Sequence, residues 1–108
     1  MNTTNYIPKC HVDTALNVIG GKWKLVILWH LNQATMRFSE LEKRIPGITQ
    51  KMLAQQLREM EKDRLVKRKV YPVVPPKVEY SITSHGKSLT PVLVELGKWG
   101  ERHQSSAT

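Results

Sequence analysis

Hydrophobic residues recur with helical spacing near both ends of the chain. Between residues 10 and 19, one helix face is apolar, with hydrophobic positions spaced i, i+3, i+4 and i+7. These positions are Val12, Ala15, Leu16 and Ile19. A second stripe near the C-terminus comprises Leu89, Val92, Leu93, Leu96 and Trp99. Residues 22–32 are apolar nearly all round, which predicts a helix buried at the centre of the fold.

The middle of the chain predicts two further helices joined by a tight turn. A very short strand is expected at residues 36–38, followed by a short helix over residues 39–45 with Ser39 as its N-cap. Pro46 and Gly47 indicate a turn. Thr49 is then the expected N-cap of a longer helix that runs to about Asp63.

The hydrophobic spacing then changes from that of a helix to that of a strand. Residues 66–73 are rich in β-branched side chains, and apolar residues at positions 78, 80 and 82 alternate with polar ones. Because Pro75 and Pro76 separate these two segments, we expect a β-hairpin. The complete order is helix, helix, short helix, turn, helix, hairpin, helix. This order predicts an α+β fold, mainly α: a winged helix-turn-helix with additional helices at both ends.

The composition is that of one globular domain. With 108 residues, we expect a domain over residues 10–103, a flexible tail over residues 1–9 and a second tail over residues 104–108. The longest nearly apolar run, residues 25–31, is broken by His30 and is too short to span a membrane. A single cysteine excludes an intramolecular disulfide and favours the cytoplasm. No catalytic, cofactor-binding or metal-ligand pattern is present, so we expect neither an enzyme nor a metal site.

The charge is strongly basic and concentrated in the middle of the chain. Lys and Arg number 17 against 9 Asp and Glu, a net charge of +8, and residues 49–77 hold eight of the basic residues against three acidic ones. Such an excess favours a nucleic-acid partner. A helix in the major groove reads bases mainly through its N-terminal turns, where Gln suits adenine and Lys or Arg suits guanine. The expected DNA-binding residues are Arg37, Thr49, Gln50, Lys51, Gln55, Gln56, Arg58, Pro76 and Lys77.

A sequence-indifferent RNA-binding or ribosome-binding protein is the alternative. Small basic chains of that kind usually place aromatic side chains on an exposed sheet to stack bases. Here Tyr71 and Tyr80 are the strand aromatics, and their pattern suggests that both are half-buried.

Several short motifs together resemble one bacterial family. They are Cys10-x-x-Asp13, Ile19-Gly20-Gly21-Lys22-Trp23, Met36-Arg37-Phe38-Ser39-Glu40-Leu41, Ile45-Pro46-Gly47-Ile48, Lys51-Met52-Leu53, Gln56-Leu57-Arg58, Pro75-Pro76-Lys77-Val78-Glu79-Tyr80 and Trp99-Gly100. In joint order and spacing they resemble the HxlR-type winged helix-turn-helix transcription regulators, which are MarR-like. One departure is visible, because Arg64 stands where that family usually has Gly after the helix-ending Asp.

The resemblance implies a homodimer that binds a pseudo-palindromic operator in double-stranded DNA. In that family the N-terminal and C-terminal helices form the dimer, so the implied interface residues are Val12, Leu16, Ile19, Leu93, Leu96 and Trp99. No feature of the sequence identifies a small-molecule effector.

Two interpretations of Cys10 remain open. It lies at the expected start of the first helix between Lys9 and His11, and N-terminal amides and nearby cations both favour a reactive thiolate. Some relatives that the chain resembles sense oxidants or electrophiles through a cysteine at this place. The alternative is a structural role, since a free cysteine is usually a small buried hydrophobe.

Overall fold

The computed structural model describes the backbone of residues 3–106 and the side chains of residues 11–106. The elements along the chain are α1 (Thr3–Ile19), α2 (Lys24–Gln33), β1 (Met36–Arg37), α3 (Phe38–Arg44), α4 (Gln50–Lys62), β2 (Val66–Tyr71), β3 (Lys77–Ile82), α5 (Ser84–Lys87) and α6 (Thr90–Ser106). The order predicted from hydrophobic spacing is confirmed, and the fold is mainly helical with one small sheet.

The sheet is antiparallel, with β3 in the centre and strand order β1-β3-β2. In the hairpin Val66 pairs with Ile82 and Tyr71 with Lys77, while the short β1 adds Met36 opposite Tyr80. Helices α2, α3 and α4 pack with this sheet around one hydrophobic core. The most deeply buried large side chains are Ile27, Leu28, Leu41, Leu53, Leu57, Met60, Leu65 and Val66.

The two terminal helices are longer than the sequence pattern predicted. Helix α1 begins at Thr3, not at residue 10, and α6 continues to Ser106, so helix extends into both segments expected to be tails. Extending an existing helix is inexpensive because the unfavourable nucleation step has already been taken. Cys10 is consequently an interior residue of α1, far from the free amides at the helix start. That removes one of the two reasons for expecting a reactive thiolate. Its side chain lies outside the described residues.

Helix α2 is only partly buried, which corrects the expectation of complete burial. Ile27 and Leu28 are fully buried, but Val26 and Trp29 on another side are 39% and 45% exposed. The exposed side forms one wall of an apolar groove of about 400 Å³ whose other wall is α6. The side of α2 that carries Val26 and Trp29 is therefore not covered by the other described residues.

The caps of the two central helices differ in how well the sequence predicted them. The Thr49 hydroxyl accepts a hydrogen bond from the Met52 amide at 3.0 Å, so the predicted N-cap of α4 is confirmed. Ser39 is not the N-cap of α3. That helix starts one residue earlier, and the Glu40 carboxylate accepts a hydrogen bond from the Arg37 amide at 2.8 Å. This bond is the half of a capping box in which the N3 carboxylate accepts from the N-cap amide, whereas a serine cap would have accepted from an amide of the first helical turn.

Candidate nucleic-acid interface

Helix α4 lies across the domain with one face in the core and the other in solvent. Gly47, with φ +90°, makes the turn from α3, and the buried Ile48 fixes the approach to Thr49. Leu53, Leu57 and Met60 then occupy the buried face. Their i, i+4, i+7 spacing holds the helix in one rotational setting, so the positions that face solvent are also determined.

The solvent-facing side of α4 presents a row of basic and amide side chains. Lys51, Gln55, Arg58 and Lys62 are exposed there, in successive turns opposite the buried stripe. This row includes three of the residues that the sequence predicted for DNA binding and adds Lys62. It provides hydrogen-bond donors and positive charge along the full length of the helix.

All three predicted glutamines make side-chain contacts, and the exposed Gln55 amide donates to the Glu59 carboxylate at 3.3 Å. The Gln50 amide donates to the Glu42 carboxylate of α3 at 3.4 Å, and its side chain remains exposed. Gln56 is half-buried, and its amide contacts the Met52 sulfur at 3.5 Å. Gln56 therefore lies apart from the exposed row, whereas Gln55 is part of it.

The hairpin β2–β3, with its connection over residues 72–76, forms a wing beside α4. On its outer face Lys69, Tyr71 and Lys77 cluster, with the ammonium groups of both lysines within 5 Å of the Tyr71 ring centre, at 4.9 and 4.8 Å. Pro76 is exposed at the tip. Side chains two residues apart in a strand project from the same face, so the spacing of Lys69 and Tyr71 in the sequence could have indicated this contact.

Glu79 joins the predicted residues Arg37 and Lys77 on this outer face. Arg37 is its register partner in β1, and the Lys77 ammonium lies 3.3 Å from its carboxylate. The Tyr71 hydroxyl donates to the same carboxylate at 2.9 Å. That hydrogen bond, followed by Lys77 and Arg37, lowers the pKa of Glu79 despite an opposing effect of burial. The Glu79 carboxylate thus partly neutralises the charge of Lys77. The sequence alone did not indicate this pairing.

The predicted interface residues of the terminal helices divide into two groups. Val12, Leu16, Leu96 and Trp99 are exposed, at 47–58% of their full accessible area. Ile19 and Leu93, in contrast, are each only 7% exposed and belong to the core of this chain. The exposed group leaves apolar surface on both α1 and α6 that no other described residue covers.

Metal-binding and membrane-spanning features are not seen in the described part of the chain. No group of three or more His, Cys, Asp or Glu side chains among residues 11–106 could hold a metal ion. None of the helices within residues 3–106 has both the length and the apolar character needed to cross a bilayer.

Helices α3 and α4, their short connecting turn and the following wing define the winged helix-turn-helix class of proteins. Residues 18–108 match the model of the HxlR-like helix-turn-helix family, and the chain belongs to this family. The resemblance seen in the sequence motifs is therefore confirmed.

Relatives and solved structures agree with this assignment. The chain is 50% identical over 95 residues to the HTH-type transcriptional regulator YdeP of Bacillus subtilis (strain 168), covering 88% of this chain and 74% of YdeP. The oxidised form of the redox regulator HypR superposes with a TM-score of 0.82 at 48% identity, over 86% of this chain and 96% of HypR. Reduced YodB from B. subtilis superposes with a TM-score of 0.75 at 36% identity, over 85% and 91%. The chain is therefore a transcriptional regulator of the HTH type and not an enzyme.

Proposed function

We propose that this regulator binds double-stranded DNA of a particular sequence, as a homodimer, in the cytoplasm. The observation that carries the proposal is the exposed row of Lys51, Gln55, Arg58 and Lys62 on a helix whose opposite face is anchored in the core. A rigid helix with donors on its free face suits the major groove, whose base edges accept such hydrogen bonds.

Each part of the interface has a separate role in this proposal. The first turn of α4, with Thr49, Gln50 and Lys51, approaches the base edges, and Gln55 suits a bidentate contact with adenine. Pro76 and Lys77 of the wing and the neighbouring Arg37 contact the flanking backbone. Gln56, which is turned toward Met52, has a supporting role and does not contact bases.

Uncovered apolar surface supports the homodimer. Val12 and Leu16 on α1 and Leu96 and Trp99 on α6 are exposed, and the groove between α2 and α6 is apolar. Large exposed apolar patches mark protein–protein interfaces. A two-fold dimer reads a pseudo-palindromic operator with half-sites ~10 bp apart or a multiple of that spacing.

Selection from a pool of random duplexes tests this proposal and requires no chosen target gene. We expect enrichment of a two-fold symmetric sequence that outcompetes a scrambled duplex as salt is raised. Gln55→Ala should relax the preference at one base pair in each half-site, by roughly 1–3 kcal/mol. Gln104→Ala, the same uncharged substitution at an exposed position on α6, is the matched control and should leave the preference unchanged.

The same experiment separates the RNA-binding alternative. Equal affinity for the selected DNA duplex, its scrambled version and an RNA duplex, lost together as salt rises, would indicate electrostatic binding alone and contradict an operator-reading role. A footprint on one unrepeated half-site would contradict the dimer but leave sequence recognition in place.

Regulation through Cys10 is a second part of the proposal, supported by the likeness to the redox regulator HypR. In the dimer, two Cys10 thiols would give up two electrons and two protons to an added disulfide reagent and form an interchain disulfide, or one thiol would exchange with that reagent to give a mixed disulfide. We expect oxidised protein to bind the selected operator with altered affinity and Cys10→Ser protein to be unresponsive. An identical response of both proteins would leave Cys10 with its structural role.

A further inference from the structure

A polar cleft separates α4 from the sheet of the wing. It has a volume of about 360 Å³ and is lined by Ala54, Arg58 and Glu61 of α4 and by Arg68 and Tyr80 of the hairpin. The three helix residues follow i, i+4, i+7 spacing and so form one stripe. Arg68 and Tyr80 are directly opposed across β2 and β3 and therefore project from the same face of the sheet.

The cationic groups of this cleft have no partner among the side chains of residues 11–106. In the part of the structure with described side chains, neither the Arg58 nor the Arg68 guanidinium forms an ion pair or side-chain hydrogen bond. On the opposite face of the same sheet, by contrast, Glu79 engages both Lys77 and Tyr71. Two unpaired guanidinium groups facing one cleft provide a fork of donors for an anion with several acceptor oxygens.

We propose that this cleft binds a single phosphate of the DNA backbone, held between Arg58 of α4 and Arg68 of the wing, with the Tyr80 hydroxyl as a further donor. The proposal rests on the DNA binding proposed above and deepens it. A guanidinium group matches two phosphate oxygens at once, which a lysine ammonium does not. One phosphate held by both elements would fix the wing relative to α4 and set the register of the bound helix.

The position of the cleft, and not its charge, favours a backbone phosphodiester over free phosphate. Glu61 lines the same cleft as the two arginines, so the local net charge is only +1 when all three are ionised. A net positive charge attracts either anion, so the occupant is assigned from position: the cleft lies between α4 and the hairpin, the recognition helix and the wing of a winged helix-turn-helix, and these are the elements proposed above to contact DNA. We therefore assign the backbone phosphate as the occupant.

The decisive experiment measures affinity for a duplex of random sequence across a salt series, using the full chain and the variants Arg58→Gln, Arg68→Gln and the double variant. Each single change is expected to weaken binding about tenfold, the loss of one charge-assisted contact. Because both arginines hold the same phosphate, the double variant should lose far less than the product of the two single losses. The salt slope of the double variant should fall by about one phosphate equivalent.

Two further variants separate geometry from charge. Arg68→Lys keeps the charge but not the fork, so we expect weaker binding with an unchanged salt slope. Lys87→Gln removes one exposed positive charge on α5, outside the cleft and the proposed dimer helices, and should change affinity by less than about twofold. Thermal denaturation of every variant establishes that it remains folded.

The outcomes separate this inference from the proposed function. If the affinity loss of the double variant equals the product of the two single losses, and its salt slope falls by about two phosphate equivalents, the arginines bind two independent phosphates. That result would overturn the shared site. Unchanged affinity in both single variants would overturn it altogether. If inorganic phosphate at constant ionic strength displaces DNA from the parent but not from the double variant, the cleft is a free-anion site instead. Failure to select any sequence refutes operator recognition while leaving the arginine result readable on random DNA.

Discussion

The Lys24 ammonium lies 2.7 Å from a carboxylate oxygen of Glu59 and joins α2 to α4. Lys24 is buried, and its ammonium also donates to the Val18 carbonyl of α1 at 3.4 Å. The Glu59 side chain remains partly exposed. A single lysine thus links the helix that presents the candidate DNA-binding row to the helix proposed for dimerisation. Side-chain contacts of α2 therefore connect the candidate DNA-binding surface on α4 with the proposed dimer surface on α1.

Removing either partner of this pair should have unequal effects on stability. Glu59→Gln leaves the Lys24 charge buried without its anion, so we expect a clearly lower melting temperature. Lys24→Met removes the charge together with its desolvation cost and should remain closer to the parent. Glu61→Gln on the same helix is the matched control, because Glu61 is exposed and forms no ion pair among the described residues. Equal losses in Glu59→Gln and Glu61→Gln would contradict a specific role for the pair.

Stability should decline in acid through the same carboxylate. Hydrogen bonding by Lys24, then by Gln55, together with the charge of Lys24, lowers the pKa of Glu59 below its ordinary value of 4.5. Because the pKa is lower in the folded state, the contribution is fully present above the unfolded-state pKa and is lost as pH falls through the folded-state pKa. Urea unfolding between neutral pH and pH ~3 should therefore show a shallower decline in Glu59→Gln than in Glu61→Gln. Parallel curves for the two variants would exclude this linkage.

Replacing Arg64 by glycine should stabilise the protein. Arg64 has φ +63° immediately after α4, and its amide and that of Leu65 donate to the Glu61 and Met60 carbonyls at 3.0 and 2.9 Å. This is a Schellman ending, in which a left-handed residue suits glycine. We expect Arg64→Gly to raise the free energy of unfolding by about 1 kcal/mol, measured by urea denaturation. Arg64→Ala loses the same charge but retains the side-chain clash, so it should show no comparable gain.

Charged or truncated residues on the terminal helices should dissociate the dimer. Leu16→Lys and Trp99→Ala alter exposed apolar side chains on α1 and α6, and we expect each to raise the dimer dissociation constant at least about tenfold. Sedimentation equilibrium measures this directly. Val74→Ser is the control, because Val74 is an exposed apolar residue of the wing, 99% accessible and remote in sequence from both helices. A dimer unaffected by both changes must use another surface.

Local sequence signals predicted the central part of the fold well. The Thr49 cap and the Leu53, Leu57, Met60 spacing determine where α4 begins and which face is buried. Alternation through residues 78–82 determines the second strand of the wing. These signals suffice because caps and side-chain periodicity depend on neighbours only a few residues apart. The base-facing candidates Lys51 and Gln55 followed from the same reasoning.

Only the tertiary structure decided which surfaces are covered and which charges meet. The sequence placed Ile19 beside Val12 on one apolar stripe, yet Ile19 is in the core and Val12 is exposed. It did not pair Lys24 with Glu59, or bring Arg58 and Arg68 to one cleft, because those partners lie in elements brought together by packing. Helical and strand periods therefore determine the elements and their faces. The long-range packing of those faces around one core determines what remains free to bind DNA or a second copy of the chain.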